Sequence, residues 1–286
     1  MRTESFAQTS PYASGIKFHI LGPFEVSLNG RQVSVPAGKR RTLLVSLLLE
    51  ANNVIPTEEL IVRLWDDDLP REPRGALHTC VNRLRQTLAS LSREAAAEVR
   101  TTASGYAIDI DQESLDLIRL RRLVAKAHSA GKAGDLAAEV AGLAEALSLW
   151  RGPVLSDVQA DPIIRETVPK LTDELLWALE RHNDLCLGLG WIDGHLITSL
   201  RSLTTKHPFR ERLWWQLMLA LFHSGRQVEA LKAYATVSHS LREEMGIDPS
   251  QQLQRLHMEI LQGDAKYPLQ ALAAESPSRL APISYF

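Results

Sequence analysis

The feature that most constrains this chain is a double change of hydrophobic period within its first 110 residues. Ile16, Phe18 and Ile20 alternate with Lys17 and His19, and Phe24, Val26 and Leu28 alternate again. A period of two marks strands with one buried face. Asn29-Gly30 follows, two residues that tolerate the positive φ of a tight hairpin turn, and Val33 and Val35 continue on a return strand. From Gly38 the period lengthens to that of a helix. Leu43, Leu44, Leu47 and Leu48 form one stripe that runs to about Ala51. After Pro56, Thr57 is the expected N-cap of a second helix, with Glu58 and Glu59 at the positive end of its dipole. Leu60, Ile61, Leu64 and Trp65 form its apolar face, and Asp66-Asp67-Asp68 and Pro70 end it. Pro73 opens a third helix in the first-turn position, where a missing N–H costs nothing. That helix is expected to reach about Ser92. The period of two then returns in Val99–Thr102 and Tyr106–Ile110, around Ala103-Ser104-Gly105. Sheet, three short helices and terminal hairpin is the order of a winged helix-turn-helix of the response-regulator output type.

Beyond Asp111 the pattern is helical. Candidate helices are Leu115–Ser129, Leu136–Trp150, Ile163–Leu187, Trp191–Thr204, Glu211–His223, Val228–Glu244 and Gln251–Gln262, separated by Gly134, Gly152-Pro153, Gly190, Pro208 and Gly225. Helix pairs recur at roughly 35 residues, near the tetratricopeptide period. Trp214, Leu217, Gly225, Ala230 and Tyr234 stand where such a repeat places its anchor, packing residue, turn glycine, small contact and aromatic. The expected architecture is mainly α: a flexible N-terminal tail over 1–15, an α+β winged helix-turn-helix over 16–112, an all-α tetratricopeptide-like domain over 113–263, and a flexible C-terminal tail over 264–286.

On a helical wheel of residues 73–91, Leu77, Val81, Leu84, Leu88 and Leu91 fall on one line, the buried stripe. Thr79, Asn82 and Gln86 point the opposite way, His78 and Arg85 flank that face on one side, and Arg83 on the other. Arg71 and Arg74 stand at the helix start. Arg can give two hydrogen bonds to guanine, and Asn or Gln a bidentate pair to adenine, so this face has the chemistry of a major-groove reader. It also has the composition of an ordinary solvated face; the surrounding element order favours DNA. Lys39, Arg40 and Arg41, at the start of the first helix, are expected to meet phosphate, or else to form a solubilising turn. Arg100, Thr101, Thr102 and Ser104 on the terminal hairpin offer phosphate or minor-groove donors, whereas Tyr106 shares the pattern of Ile108 and Ile110 and is expected to pack inward.

Charge is distributed to suit. Residues 1–110 hold 13 basic and 12 acidic groups within a whole-chain charge of −2, so the basic character is local rather than global. Enzyme signatures are incomplete. Gly38-Lys39 resembles a phosphate loop, but Val33 stands at its first glycine and Arg40 at its Ser/Thr. Gly188, Gly190 and Gly194 have the wrong spacing for a dinucleotide fingerprint. His182 and Cys186 make half a metal site, and Cys80 lies beside the buried stripe. Two cysteines form no disulfide framework and fit a reducing cytoplasm. No signal peptide or membrane span is expected, nor any catalytic residue, cofactor or metal.

The motifs Gly38-Lys39-Arg40-Arg41, Leu60 to Trp65, Val81-Asn82-Arg83-Leu84-Arg85 and Thr101-Thr102 with Gly105-Tyr106 resemble the Streptomyces antibiotic regulatory protein (SARP) family, here in its short form. In the second half, residues 146–153, Pro208-Phe209-Arg210-Glu211-Arg212-Leu213, Gly225 to Leu231 and Leu256-His257 resemble the bacterial transcriptional activator domain. The resemblance implies a transcriptional activator of an antibiotic or other secondary-metabolite gene cluster. It would bind tandem direct repeats of double-stranded DNA as a homodimer and recruit RNA polymerase with its sigma factor, as a cytoplasmic, nucleoid-associated protein. Thr102, Ala103 and Ser104 stand where the family's wing carries an arginine and prolines. A helical-repeat regulator that binds a peptide or ligand, or a repressor with the same DNA-binding domain, are the rival readings. A chain lacking 113–263 is expected to keep weak DNA binding and lose activation.

Overall fold

The computed structural model describes residues 15–91 and 98–265. Most of the two expected tails, and Ser92, lie outside the described residues. The described chain forms two compact units, one drawn from residues 1–125 and 145–175, the other from 126–144 and 176–286.

In the first unit β1 (Ile16–His19), β2 (Glu25–Leu28) and β3 (Arg31–Val33) form an antiparallel sheet in that order, with Phe18 opposite Val26 and Leu28 opposite Arg31. Asn29 and Gly30 take φ of 50° and 78°, as the two-residue turn requires. Helix α1 (Lys39–Leu49) follows, then β4 (Ile55–Pro56), α2 (Thr57–Trp65), α3 (Pro73–Leu91), β5 (Glu98–Thr101) and β6 (Gly105–Asp109). The stripe Leu77, Val81, Leu84 and Leu88 is buried as its spacing demands.

The strand β4 is an addition to the sequence reading. It makes a second sheet in the order β4-β6-β5, with Ile55 opposite Tyr106. Two residues are too few to show a period, so no local pattern announces it. Its pairing explains Gly105: a Cβ there would stand 1.9 Å from the Ile55 carbonyl oxygen. It also moves the cap of α2. The N-cap is Pro56, held extended by the sheet at ψ 144° and making no side-chain cap, rather than Thr57. Thr57 is the first helical residue, and its N–H donates to the Ser104 carbonyl at the tip of the β5–β6 hairpin, at 3.1 Å.

Packing carries the first unit past the motif boundary at 112. The buried Asp116 carboxylate, at the start of α4 (Asp116–Lys132), accepts the backbone N–H groups of Ile20 and Leu21 at 2.9 and 3.0 Å. Burial pushes its carboxyl up, and the two N–H donors oppose that. The loop after α5 (Leu136–Leu147) closes on the turn between β1 and β2: the Arg151 N–H donates to the Leu21 carbonyl and the Leu155 N–H to the Gly22 carbonyl, both at 2.7 Å. Leu115, Leu120, Leu155, Ile163 and Leu175 therefore belong to the same apolar core as Phe18, Leu44, Leu60 and Leu84. The expected helix over 163–187 is two helices, α6 (Asp161–Glu166) and α7 (Val168–Gly188). Pro169 lacks the N–H that would bond back across the break at Thr167.

In the second unit α8 (Gly194–Lys206), α9 (Glu211–His223), α10 (Gln227–Ser240) and α11 (Gln251–Gln262) pack as successive neighbours. Helix α8 starts three residues later than its apolar pattern suggests, because the Asp193 carboxylate caps it by accepting the Leu196 N–H at 2.8 Å. Trp214, Leu217 and Ala230 are buried, Gly225 takes φ 73°, and Tyr234 stacks on His257 at 3.9 Å. Helix α10 passes into one π-helical turn, Leu241–Met245, ended by Gly246 at φ 69°. Arg181 and Glu139 form a buried two-pronged ion pair, each bond 2.9 Å. No described helix is long and apolar enough to cross a membrane.

Candidate nucleic-acid interface

The outer face of α3 is built by the burial of its other face. With Leu77, Val81, Leu84 and Leu88 fixed against the core, Thr79, Arg83 and Gln86 are exposed and Asn82 is half-buried. Among the described residues, Arg71, Arg83 and Gln86 have no side-chain hydrogen bond or ion pair. Thr79 returns its hydroxyl to the Gly75 carbonyl at 3.0 Å, and its own oxygen stays open as an acceptor. The Asn82 amide nitrogen lies 3.4 Å from Nδ1 of His78. These side chains share one exposed ridge that carries donors, acceptors and a free cation.

Arg74, expected at the helix start, and Arg85, expected to flank the ridge, are engaged elsewhere. Arg74 forms an exposed pair with Glu58 of α2, Nη2 to Oε1 at 2.6 Å, an arrangement worth little in water. Arg85 turns toward the hairpin: Nη2 and Nε donate to the Val99 carbonyl at 2.7 and 3.0 Å, and Nη2 also donates to Thr101 Oγ1 at 2.8 Å.

The three cations at the start of α1 have been drawn into the fold. Lys39 donates to the Leu64 carbonyl and so caps the end of α2. Arg40 reaches Thr87 of α3 at 3.4 Å. Arg41 donates to the Val35 carbonyl at 2.7 Å and to Asp157 at 2.8 Å. Cys80 reports their field: burial pushes its thiol up, while Arg83, Lys39 and Arg40 pull it down. Asp157 is the functional neighbour that sequence reasoning missed, since no spacing links it to Arg41.

On the hairpin, Arg100 pairs with Asp109 on the neighbouring strand, with Nη2 2.9 Å from Oδ1. The Thr102 hydroxyl and the Gly105 backbone close the tip: the Gly105 N–H donates to Thr102 Oγ1 at 3.1 Å and the Thr102 N–H to the Gly105 carbonyl at 2.8 Å. Ser104 is exposed at that tip, and Tyr106 is buried as its strand pattern implies. Thr101, Thr102 and Ser104 thus sit together, one strand from α3.

Both halves of the chain match known transcriptional regulators. Residues 115–261 match the bacterial transcriptional activator domain, and residues 31–108 match the C-terminal domain of transcriptional regulatory proteins. Regulatory protein DnrI of Streptomyces peucetius is 34% identical over 254 residues, 87% of this chain and 93% of DnrI. Regulatory protein AfsR of Streptomyces coelicolor is 35% identical over 277 residues, 96% of this chain but 27% of AfsR. The solved structure of Mycobacterium tuberculosis EmbR in complex with a low-affinity phosphopeptide superposes with a TM-score of 0.80 at 28% identity, over 91% of this chain and 70% of that one.

Proposed function

The chain belongs to the Streptomyces antibiotic regulatory protein family of transcriptional regulators, and on that premise we propose that it activates a secondary-metabolite gene cluster by reading duplex DNA with α3. The observation that carries this reading is the exposed ridge on which Arg83 and Gln86 have no partner among the described residues while Thr79 stands beside them. Arg83 offers the fork that guanine accepts, and Gln86 the amide pair that adenine accepts, with Asn82 beside them facing Arg85 through Oδ1 and His78 through Nδ2. Arg71 meets phosphate at the start of α3, and Thr102 and Ser104 meet the backbone or minor groove from the hairpin, which acts as the wing, while the Thr101 hydroxyl is held by Arg85. Lys39, Arg40 and Arg41 orient the start of α1, so that its backbone N–H groups face phosphate.

Two copies would occupy tandem direct repeats about one helical turn apart, on one face of the duplex. The helical half would contact RNA polymerase and its sigma factor, which places the protein on the nucleoid in the cytoplasm. Footprinting of the purified chain on promoter fragments from its own genomic neighbourhood tests this. Protection of two direct repeats in register is expected, with output from a reconstituted promoter. Absence of any sequence-selective protection would overturn the reading.

A further inference from the structure

We infer that Arg85 is a positioning residue that fastens the wing to the recognition helix and does not itself read a base; this rests on the DNA reading of α3 proposed above. Its guanidinium presents the Nε–Nη2 edge, one of those a bidentate contact to guanine would use, to the Val99 carbonyl at 3.0 and 2.7 Å. The same Nη2 donates to Thr101 Oγ1 at 2.8 Å, and Nη1 lies 3.4 Å from Asn82 Oδ1. Val99 and Thr101 are on β5, an edge strand of the β4-β6-β5 sheet. An edge strand has one side without a ladder partner, and Arg85 supplies charged donors to a carbonyl of this one. Arg85 is half-buried, while Arg83, two residues earlier, is exposed without a partner among the described residues. The motif Arg83-Leu84-Arg85 therefore divides its labour: Leu84 anchors the helix in the core, Arg83 faces the groove, and Arg85 sets the angle of the wing. The contact with Asn82 extends this effect, because a guanidinium at Oδ1 leaves Nδ2 of that amide turned toward His78.

The test uses the full chain and a duplex that the wild-type chain selects from a random-sequence pool, trimmed one base pair at a time from each flank. A positioning role makes one flank matter only while the wing is held. Trimming that flank is expected to cost the wild type about tenfold in affinity, and Arg85→Ala less than about twofold. Thr101→Val should fall between them and add nothing to Arg85→Ala. A merely structural role would lower all affinities and leave the trimming cost unchanged, and that result overturns the inference. So does a wild type indifferent to trimming on both flanks, or an Arg85→Ala chain that loses discrimination at one base pair only, as a base reader would. If Arg85→Ala does not fold, Arg85→Lys, which keeps the charge without the fork, carries the same comparison. A pool from which the wild type enriches no duplex fails the DNA reading itself, a distinct outcome that overturns both.

Discussion

The Arg41 guanidinium donates to Asp157 Oδ2 at 2.8 Å across 116 residues of sequence, and the same carboxylate accepts the Phe24 N–H through Oδ1 at 2.6 Å. One acidic side chain thereby joins the start of α1, the turn between β1 and β2 and the loop after α5. The pair is partly exposed, with side-chain exposures of 20% and 38%, so screening limits its Coulomb energy. The bonds from Arg41 to Val35 add to what its removal would cost.

Arg41→Ala is therefore expected to lower stability by about 1–2 kcal/mol. In a double-mutant cycle with Asp157→Ala, urea denaturation should show a coupling of about 0.5–1 kcal/mol. Additive losses would mean that the pair contributes nothing of its own.

Arg83→Ala should weaken specific DNA binding by about 1–3 kcal/mol and relax preference at one base pair, measured by mobility-shift titration on single-substituted duplexes. An unchanged affinity in a folded variant would remove Arg83 from the reading face.

Gly105→Ala places a Cβ 1.9 Å from the Ile55 carbonyl oxygen. Strands β4 and β6 must separate to admit it, an overpacking cost of about 1–3 kcal/mol. The urea midpoint should drop with the slope unchanged; a midpoint equal to wild type would show that β4 yields freely.

A fragment ending at residue 112 loses Asp116 from the Ile20 and Leu21 N–H groups, and Leu115, Leu120, Leu155 and Ile163 from the core. Buried N–H groups without partners and uncovered apolar surface both oppose folding. The fragment should lack a cooperative unfolding transition and fail to bind the duplex, in contrast to the weak binding that the motif boundary alone suggests. A sharp transition by circular dichroism would refute this.

Burial holds the His182 imidazole below its ordinary value of 6.5. Between the folded value and 6.5 the unfolded chain binds more protons, so stability rises with pH through that window and is fully present above it. His182→Gln should flatten this rise in denaturation curves taken from pH 5 to 7. A slope identical to wild type would assign the acid sensitivity to other groups.

The parts of the fold legible in the sequence were those decided within a few residues. Asn29-Gly30 specifies its turn, Pro73 opens α3, and the apolar spacing of 211–223 and 251–262 matches α9 and α11 at both ends. The buried and exposed sides of α3 follow from its period. Strand β4 was not legible, because its two residues have no period and owe their conformation to Tyr106 and Gly105. The cap of α2 was misplaced for the same reason.

The cations show most clearly where sequence stops. Lys39, Arg40, Arg41, Arg74, Arg83 and Arg85 are alike as letters, and the sequence by itself determined only that they cluster around two helix starts and one helix face. Tertiary structure decided that Lys39 closes α2, Arg41 meets Asp157, Arg85 holds β5 and Arg83 stays open. A period depends on near neighbours and is written in order along the chain. A long charged side chain settles on whichever acceptor the closed chain brings within reach, and the carbonyls of Val99 and Leu64 and the carboxylate of Asp157 lie 14, 25 and 116 residues from the cations that they accept.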